Sequence, residues 1–318
     1  MFDKVKFWLP RTSGVEQFQK LRSVICTLDP EATFVGKANG GDLKVILDGH
    51  INNMRVREYL GGVSVYGSLN KWKHGGSNLA EMTLFETRAA VKELSEILSL
   101  NLAEAKVTEI EFGTNIILKN SVGSYFRLLG QMPRRVRSIL NRETLYYQRK
   151  GEDRDTLVFY DKIKQAKKEK IYIPAALLEA NVLRVELRLK RNIARLLHTS
   201  EIKGETLYDE DFNEKLLTLL KEKYMSIEKV ENISLANIEE IKRPSDAAKF
   251  FFSSLFAEAE KGQEEIETYL QRLKDSKVFK DRADYVRTRK QIIEIANAAK
   301  IAKSDPLRVE LDAAIKKL

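Results

Sequence analysis

The stretch Asn181–Lys190, "NVLRVELRLK", alternates without a miss. Leu183, Val185, Leu187 and Leu189 share one parity; Arg184, Glu186, Arg188 and Lys190 share the other. Side chains on a strand alternate with period two, so the pattern predicts a strand with one apolar and one charged face. Two more segments behave alike. In "TEIEFGTNIIL", Ile110, Phe112, Ile116 and Leu118 oppose Glu109, Glu111 and Asn115. In "DTLVFYDKIK", Leu157, Phe159 and Ile163 oppose Val158, Tyr160, Lys162 and Lys164.

Further runs such as "VKFWLP", "DLKVILDG", "NMRVREYL", "GVSVYGSL" and "ETLYYQRK" predict strands up to about Arg195, some divided by the turns "NGGD", "LGGV" and "HGGSN". One helix interrupts them. In "TLFETRAAVKELSEILS", Thr83 and Glu86 make a capping box, and Leu84, Ala90, Leu94, Ile97 and Leu98 form an apolar stripe. After "LLHTSEIKGETL" the period is helical to the end. The predicted fold is α+β: an antiparallel sheet with helices on one face, followed by an all-helical C-terminal domain. The predicted domains are residues 1–198 and 206–318.

If the three apolar sets face the helices, then Glu111, Tyr160, Lys162, Arg184 and Glu186 meet on one open, solvent-exposed surface. Two carboxylates suit a hard divalent cation, and the cations suit phosphate. A tyrosine hydroxyl can attack a phosphodiester and retain the strand end as a phosphotyrosine. Its pKa near ~10 means that it needs help, which Lys162 could give through its positive charge. Mg²⁺ or Mn²⁺ held by Glu111 and Glu186 would polarise the scissile phosphate.

Composition narrows the partners. The 318 residues carry a formal net charge of +9, which favours a polyanion, nucleic acid before a membrane surface. A single cysteine, Cys26, excludes an internal disulfide and a multi-cysteine zinc site, and suits the cytoplasm. No run approaches the ~20 apolar residues of a membrane span, and "MFDKVKFWLP" has no signal-peptide core. There is no Walker lysine loop, Gly-x-Gly-x-x-Gly or Ser/His/Asp pattern to support ATP, dinucleotide or hydrolase chemistry.

The runs "VTEIEFGTNI", "LVFYDKIK" and "NVLRVELRLK", in this order and spacing, resemble the phage and plasmid replication proteins of the filamentous-phage gene II type. The resemblance covers roughly residues 60–195, with a weaker echo in "VKFWLP". It implies an HUH-endonuclease-like fold and a rolling-circle initiator that nicks and rejoins single-stranded DNA at an origin through a covalent 5′-phosphotyrosine. Tyr160 would be the nucleophile, with Lys162 beside it; Glu111 and Glu186 would hold Mg²⁺ or Mn²⁺. Arg184 and Arg188 match the family's third strand and are expected to bind nucleic acid, with one or the other turned to the DNA phosphate backbone. Related nickases hold their metal with a His-hydrophobe-His pair, which this chain lacks. The gene II pattern has Gly-His-Asn, and here "GSLNKWKHGGSN" supplies His74 and Asn78 in shifted register, leaving His74 as either a metal ligand or a loop histidine.

Around this centre, Arg134, Arg135 and Arg137 of "MPRRVRSILNR" and Lys164 of "KIKQAKKEK" are candidate phosphate contacts, and Asn78 is a candidate DNA contact. Trp72, between Lys71 and Lys73, could stack an unpaired base or simply pack. Tyr146, Tyr147 and Tyr172 are rival tyrosines, and on periodicity alone Glu111 and Glu186 equally fit ion pairs on a solvated sheet. The implied partners are single-stranded or origin DNA and a host replication helicase. Two other readings stay open: a non-catalytic origin-binding or repressor protein, and a mobilisation relaxase of the same chemistry.

Overall fold

The three alternating segments become three neighbouring strands. The computed structural model describes residues 2–11, 15–34, 45–141, 143–149, 152–230, 262–275, 281–298 and 306–318. Its strands are β1 (Phe2–Pro10), β2 (Thr33–Phe34), β3 (Val45–Ile51), β4 (Met54–Tyr59), β5 (Gly62–Ser68), β6 (Lys106–Leu118), β7 (Val136–Leu140), β8 (Thr144–Arg149), β9 (Glu152–Asp161) and β10 (Asn181–Lys190). They form one ten-stranded sheet in the order β2-β3-β4-β5-β1-β6-β10-β9-β8-β7, with every pairing antiparallel. Glu186 on β10 faces Gly113 on β6 and Val158 on β9; Arg184 faces Asn115 and Tyr160. Gly113 permits this closeness, because a Cβ there would run into the Val185 carbonyl oxygen.

The helices are α1 (Val15–Leu28), α2 (Leu69–Lys73), α3 (Leu84–Leu98), α4 (Val122–Phe126), α5 (Lys162–Lys168), α6 (Ile193–Leu196), α7 (Glu210–Met225), α8 (Gly262–Asp275), α9 (Arg282–Ala298) and α10 (Pro306–Lys316). The capping box of Thr83 and Glu86 starts α3 as its sequence requires. On the apolar face, α1 sets Ile25 against Gly49 of β3. Phe212 of α7 stacks on Phe2 at 6.5 Å, and Tyr224 lies 6.5 Å from Phe159. The mixed α+β architecture, with a large antiparallel sheet and C-terminal helices, is therefore the expected one.

Two compact units make up the chain: residues 1–122 with 132–226, and residues 123–131 with 227–318. The first holds the sheet and α7. In the second, Leu129 bridges Lys229, and the Tyr125 hydroxyl donates to Glu310 of α10 at 2.8 Å. Part of the predicted helical C-terminal domain, the stretch "KFFFSSLF" included, and the turn "NGGD" lie outside the described residues.

Three local expectations are corrected. The N-terminal segment contains a helix, α1, whose Phe18, Leu21 and Ile25 are buried. The strand of "DTLVFYDKIK" stops at Asp161, whose carboxylate accepts from the Lys164 amide at 2.9 Å and caps α5. Finally, the charged face is not open. Arg184, Lys162, Glu186, Tyr160 and Glu111 are all buried. Ile163 and Ala166 of α5 pack with Leu79 and with Val182, which shares the parity of Arg184. Leu79 and Glu81 also bond Asn115 and Thr114 of β6. Long-range cover from α5 and this loop is invisible to strand periodicity.

Candidate active site

β1 makes an unexpected contribution to the charged face. Opposite β6, Phe2 pairs with Phe112 and Val5 with Ile110, so β1 has one extra residue across this interval. Such a bulge lets Phe2 and Val5 both enter the apolar core while Asp3 turns to the other side. The Asp3 carboxylate accepts from Ser68 Oγ at 2.6 Å and from Asn78 Nδ2 at 3.0 Å. Asp3, Glu111 and Glu186 each offer an oxygen within 4.8 Å of the others, and all three are buried.

Cations surround this triad. Lys4 Nζ lies 3.0 Å from Glu111. Arg188 donates to Glu186 Oε2 from Nε at 3.0 Å and Nη2 at 2.8 Å, and lies 3.7 Å from Glu111. Arg184, fully buried, places Nη1 at 3.3 Å from Asn115 Oδ1 and Nε at 3.9 Å from Glu186 Oε1. Glu186 Oε1 is itself buried and accepts no hydrogen bond among the described residues.

Burial and mutual repulsion set the protonation. Burial, then the Glu186 charge, holds the Glu111 carboxyl above its usual range despite Lys4 and Arg188. Burial alone would raise Asp3 too, but Arg184, the Ser68 bond, Lys162 and Lys4 bring it below the usual value. A hard, all-oxygen set with one carboxyl held above its usual range and one unbonded buried oxygen fits a hard divalent cation.

Tyr160, on β9, lies beside this centre and pairs in register with Arg184. Burial, and then Glu186, pushes its phenol well above the ordinary value, so at neutral pH it keeps its proton. Lys162, the first residue of α5, holds Nζ 5.7 Å from the Tyr160 ring centre. Its Nζ donates to Asn78 Oδ1 at 2.7 Å and Gln165 Oε1 at 2.8 Å. Burial, then the Arg184 charge, lowers Lys162 to about 8. Asn78 thus ties Lys162 to Asp3.

The structure brings Tyr160, Lys162, Glu111, Glu186, Arg184, Arg188 and Asn78 together, with Asp3 added. Sequence reasoning missed Asp3; the acidic residue in "MFDKVKFWLP" was a signal, but strict alternation assigns it to the core side with Val5. His74 stays apart from the carboxylate triad. It ends α2, with Nδ1 2.7 Å from Asn70 Oδ1 and Nε2 3.7 Å from Glu86. Trp72 is half-buried, its indole nitrogen buried without a hydrogen-bond partner among the described residues. The Arg135 guanidinium is buried against Asp155, which Lys223 also bonds at 2.7 Å. Arg137 is half-buried and bonds Tyr147. Arg134 and Lys164 are exposed. Among the rival tyrosines, Tyr147 is fully buried, Tyr146 shares the Tyr160 face, and Tyr172 is 80% exposed.

Residues 1–209 match the family of the phage replication-associated protein of the gene II type, N-terminal region. The structure is also similar to a rolling circle replication initiator protein from Geobacillus stearothermophilus, at 14% identity and TM-score 0.39, covering 70% of this chain and 83% of that one. No curated protein matches this chain. No helix among the described residues is long and apolar enough to cross a membrane.

Proposed function

The chain belongs to the family of phage replication-associated proteins of the gene II type, and from that premise we propose that it initiates rolling-circle replication by nicking and rejoining single-stranded DNA through Tyr160. One observation carries the reading: a tyrosine and a buried triad of carboxylates share one face of the sheet, and a lysine lowered to about 8, at the start of α5, lies 5.7 Å from the tyrosine ring centre. A phenol, a proton acceptor and a hard-cation site are the parts that a phosphodiester transfer needs.

The residues divide the work. Asp3, Glu111 and Glu186 would hold Mg²⁺ or Mn²⁺, which would supply Lewis-acid polarisation of the scissile phosphate. With its value near 8, Lys162 is partly neutral at pH 7.5 and takes the proton from Tyr160 Oη. Oη forms a bond to phosphorus, the bond from phosphorus to the 3′-oxygen breaks, and that oxygen leaves with the electron pair and is protonated by water. The 5′ end stays on the protein. In rejoining, a 3′-hydroxyl gives its proton back to solvent and its oxygen bonds to phosphorus, the bond from phosphorus to Oη breaks, and Lys162 returns the proton to the phenol. Asn78 and Gln165 keep the Lys162 amine in place. Arg188 keeps partial exposure, 28%, as Lys4 does at 41%, and meets the phosphate backbone.

The test is incubation of the whole protein with labelled single-stranded origin DNA and Mn²⁺. A labelled band at the protein's mass, stable to denaturant, is expected. Tight binding without any such band would favour a non-catalytic origin-binding protein.

A further inference from the structure

Beyond the nicking centre, α5 ends in an arrangement that its role as a cover does not explain. Lys170 has φ +56°, the Lys170 amide donates to Lys167 O at 3.2 Å, and the Ile171 amide donates to Ala166 O at 2.9 Å. This is a Schellman stop, and its usual apolar contact is present because Ile171 packs on the cluster containing Ala166. Ile173 packs on the same cluster. Between these two anchors Tyr172 points outward and is 80% exposed. A large aromatic this exposed adds nothing to the core, yet its anchored neighbours hold its backbone in place.

Its surroundings are basic. Lys164, Lys168 and Lys170 are exposed. The nearby Glu169 is bonded by Lys71 Nζ at 3.0 Å and by Gln165 Nε2 at 2.9 Å. The opposite end of the same helix is Lys162, at the Tyr160 ring. We propose that Tyr172 is a stacking platform for one unpaired base of the DNA strand, with the α5 lysines on the flanking phosphates. The inference rests on the DNA-nicking reading and adds the part of the protein that grips the strand away from the cut. An aromatic face accepts any base, and lysines beside it supply the charge that a polyanion needs. A ring carried on an anchored backbone loses less freedom on stacking than one on a mobile segment, so it contributes more to affinity.

The experiment measures binding of the full chain to a single-stranded oligonucleotide by anisotropy, with an abasic site moved through each position. Tyr172→Ala should weaken binding to the intact strand roughly tenfold, and Tyr172→Phe should not. The salt dependence should stay as in wild type, because no charge is lost. One abasic position should cost the wild type about the same factor and cost Tyr172→Ala nothing. Equal affinities for wild type and Tyr172→Ala, or the same abasic profile in both, would overturn the inference. The nicking reading fails separately: wild type would then bind the strand and show the abasic effect, yet form no covalent adduct.

Discussion

Arg184→Ala is the sharpest probe of how the charged face is built. On a solvated strand the change would cost little stability. Here the guanidinium is fully buried, 3.9 Å from Glu186 Oε1 and in the field of Glu186 and Asp3. Removing it leaves Asp3 and Glu186 buried with less compensation. Deleting one member of a buried charge pair costs about 3–5 kcal/mol. Lys162 and Lys4 still face Asp3, and Arg188 still bonds Glu186, which puts the loss near the lower bound of about 3 kcal/mol. At about 2–4 °C per kcal/mol for a unit of this size, Tm should fall by roughly 6–12 °C at pH 7. The pH dependence has a definite sign. Arg184 helps to depress the Asp3 pKa, so its contribution is present above the unfolded carboxyl value and is lost as pH falls through the folded value. The gap between wild type and variant should therefore narrow below about pH 4. Thermal unfolding followed by circular dichroism at pH 7 and pH 3.5 is the assay. An unchanged Tm at pH 7 would refute the buried-charge account.

Glu111→Gln should raise the metal-free Tm at pH 7, because burial and Glu186 make the ionised carboxylate costly. Its folded pKa is raised, so that penalty grows as pH rises above the unfolded value and the gain should vanish near pH 4; a Tm below wild type at pH 7 would contradict this. Asp3→Asn should weaken Mn²⁺ binding in calorimetry by about tenfold or more, and an unchanged affinity would remove Asp3 from the metal set. Arg134→Ala should lower the salt slope of DNA binding by about one, whereas Arg135→Ala should mainly lower Tm, since Arg135 is committed to Asp155. Identical salt slopes for wild type and Arg134→Ala would take Arg134 off the backbone.

Much of the centre was legible because strand periodicity is strict. Parity alone places Glu111, Tyr160, Arg184 and Glu186 on one side, and the register then brings them together across β6, β10 and β9. Asp3 was hidden by the bulge in β1, which breaks the alternation on which such an assignment depends. The α1 period of Phe18, Leu21 and Ile25 is present in the sequence, but a strand-rich reading of the N-terminal half passes over it. In "FYDKIK" the alternation runs on past Asp161, and only the cap marks where the strand yields to α5. Burial of the charged face was not legible at all. It comes from Leu79 and α5, far apart in sequence and joined only by tertiary packing. For His74 the neighbours Asn70 and Glu86 decide its place, and neither belongs to the carboxylate triad.

Peptide mapping of the covalent adduct tests the central claim most directly. Trypsin separates the candidate tyrosines: Tyr160 falls in residues 155–162, Tyr146 and Tyr147 in 143–149, and Tyr172 in 171–184. After reaction with single-stranded DNA and Mn²⁺ and digestion of the DNA, the nucleotide mass should sit on peptide 155–162 alone, and Tyr160→Phe should yield none. Nucleotide mass on peptide 143–149 or 171–184, or an adduct that persists in Tyr160→Phe, would contradict the account.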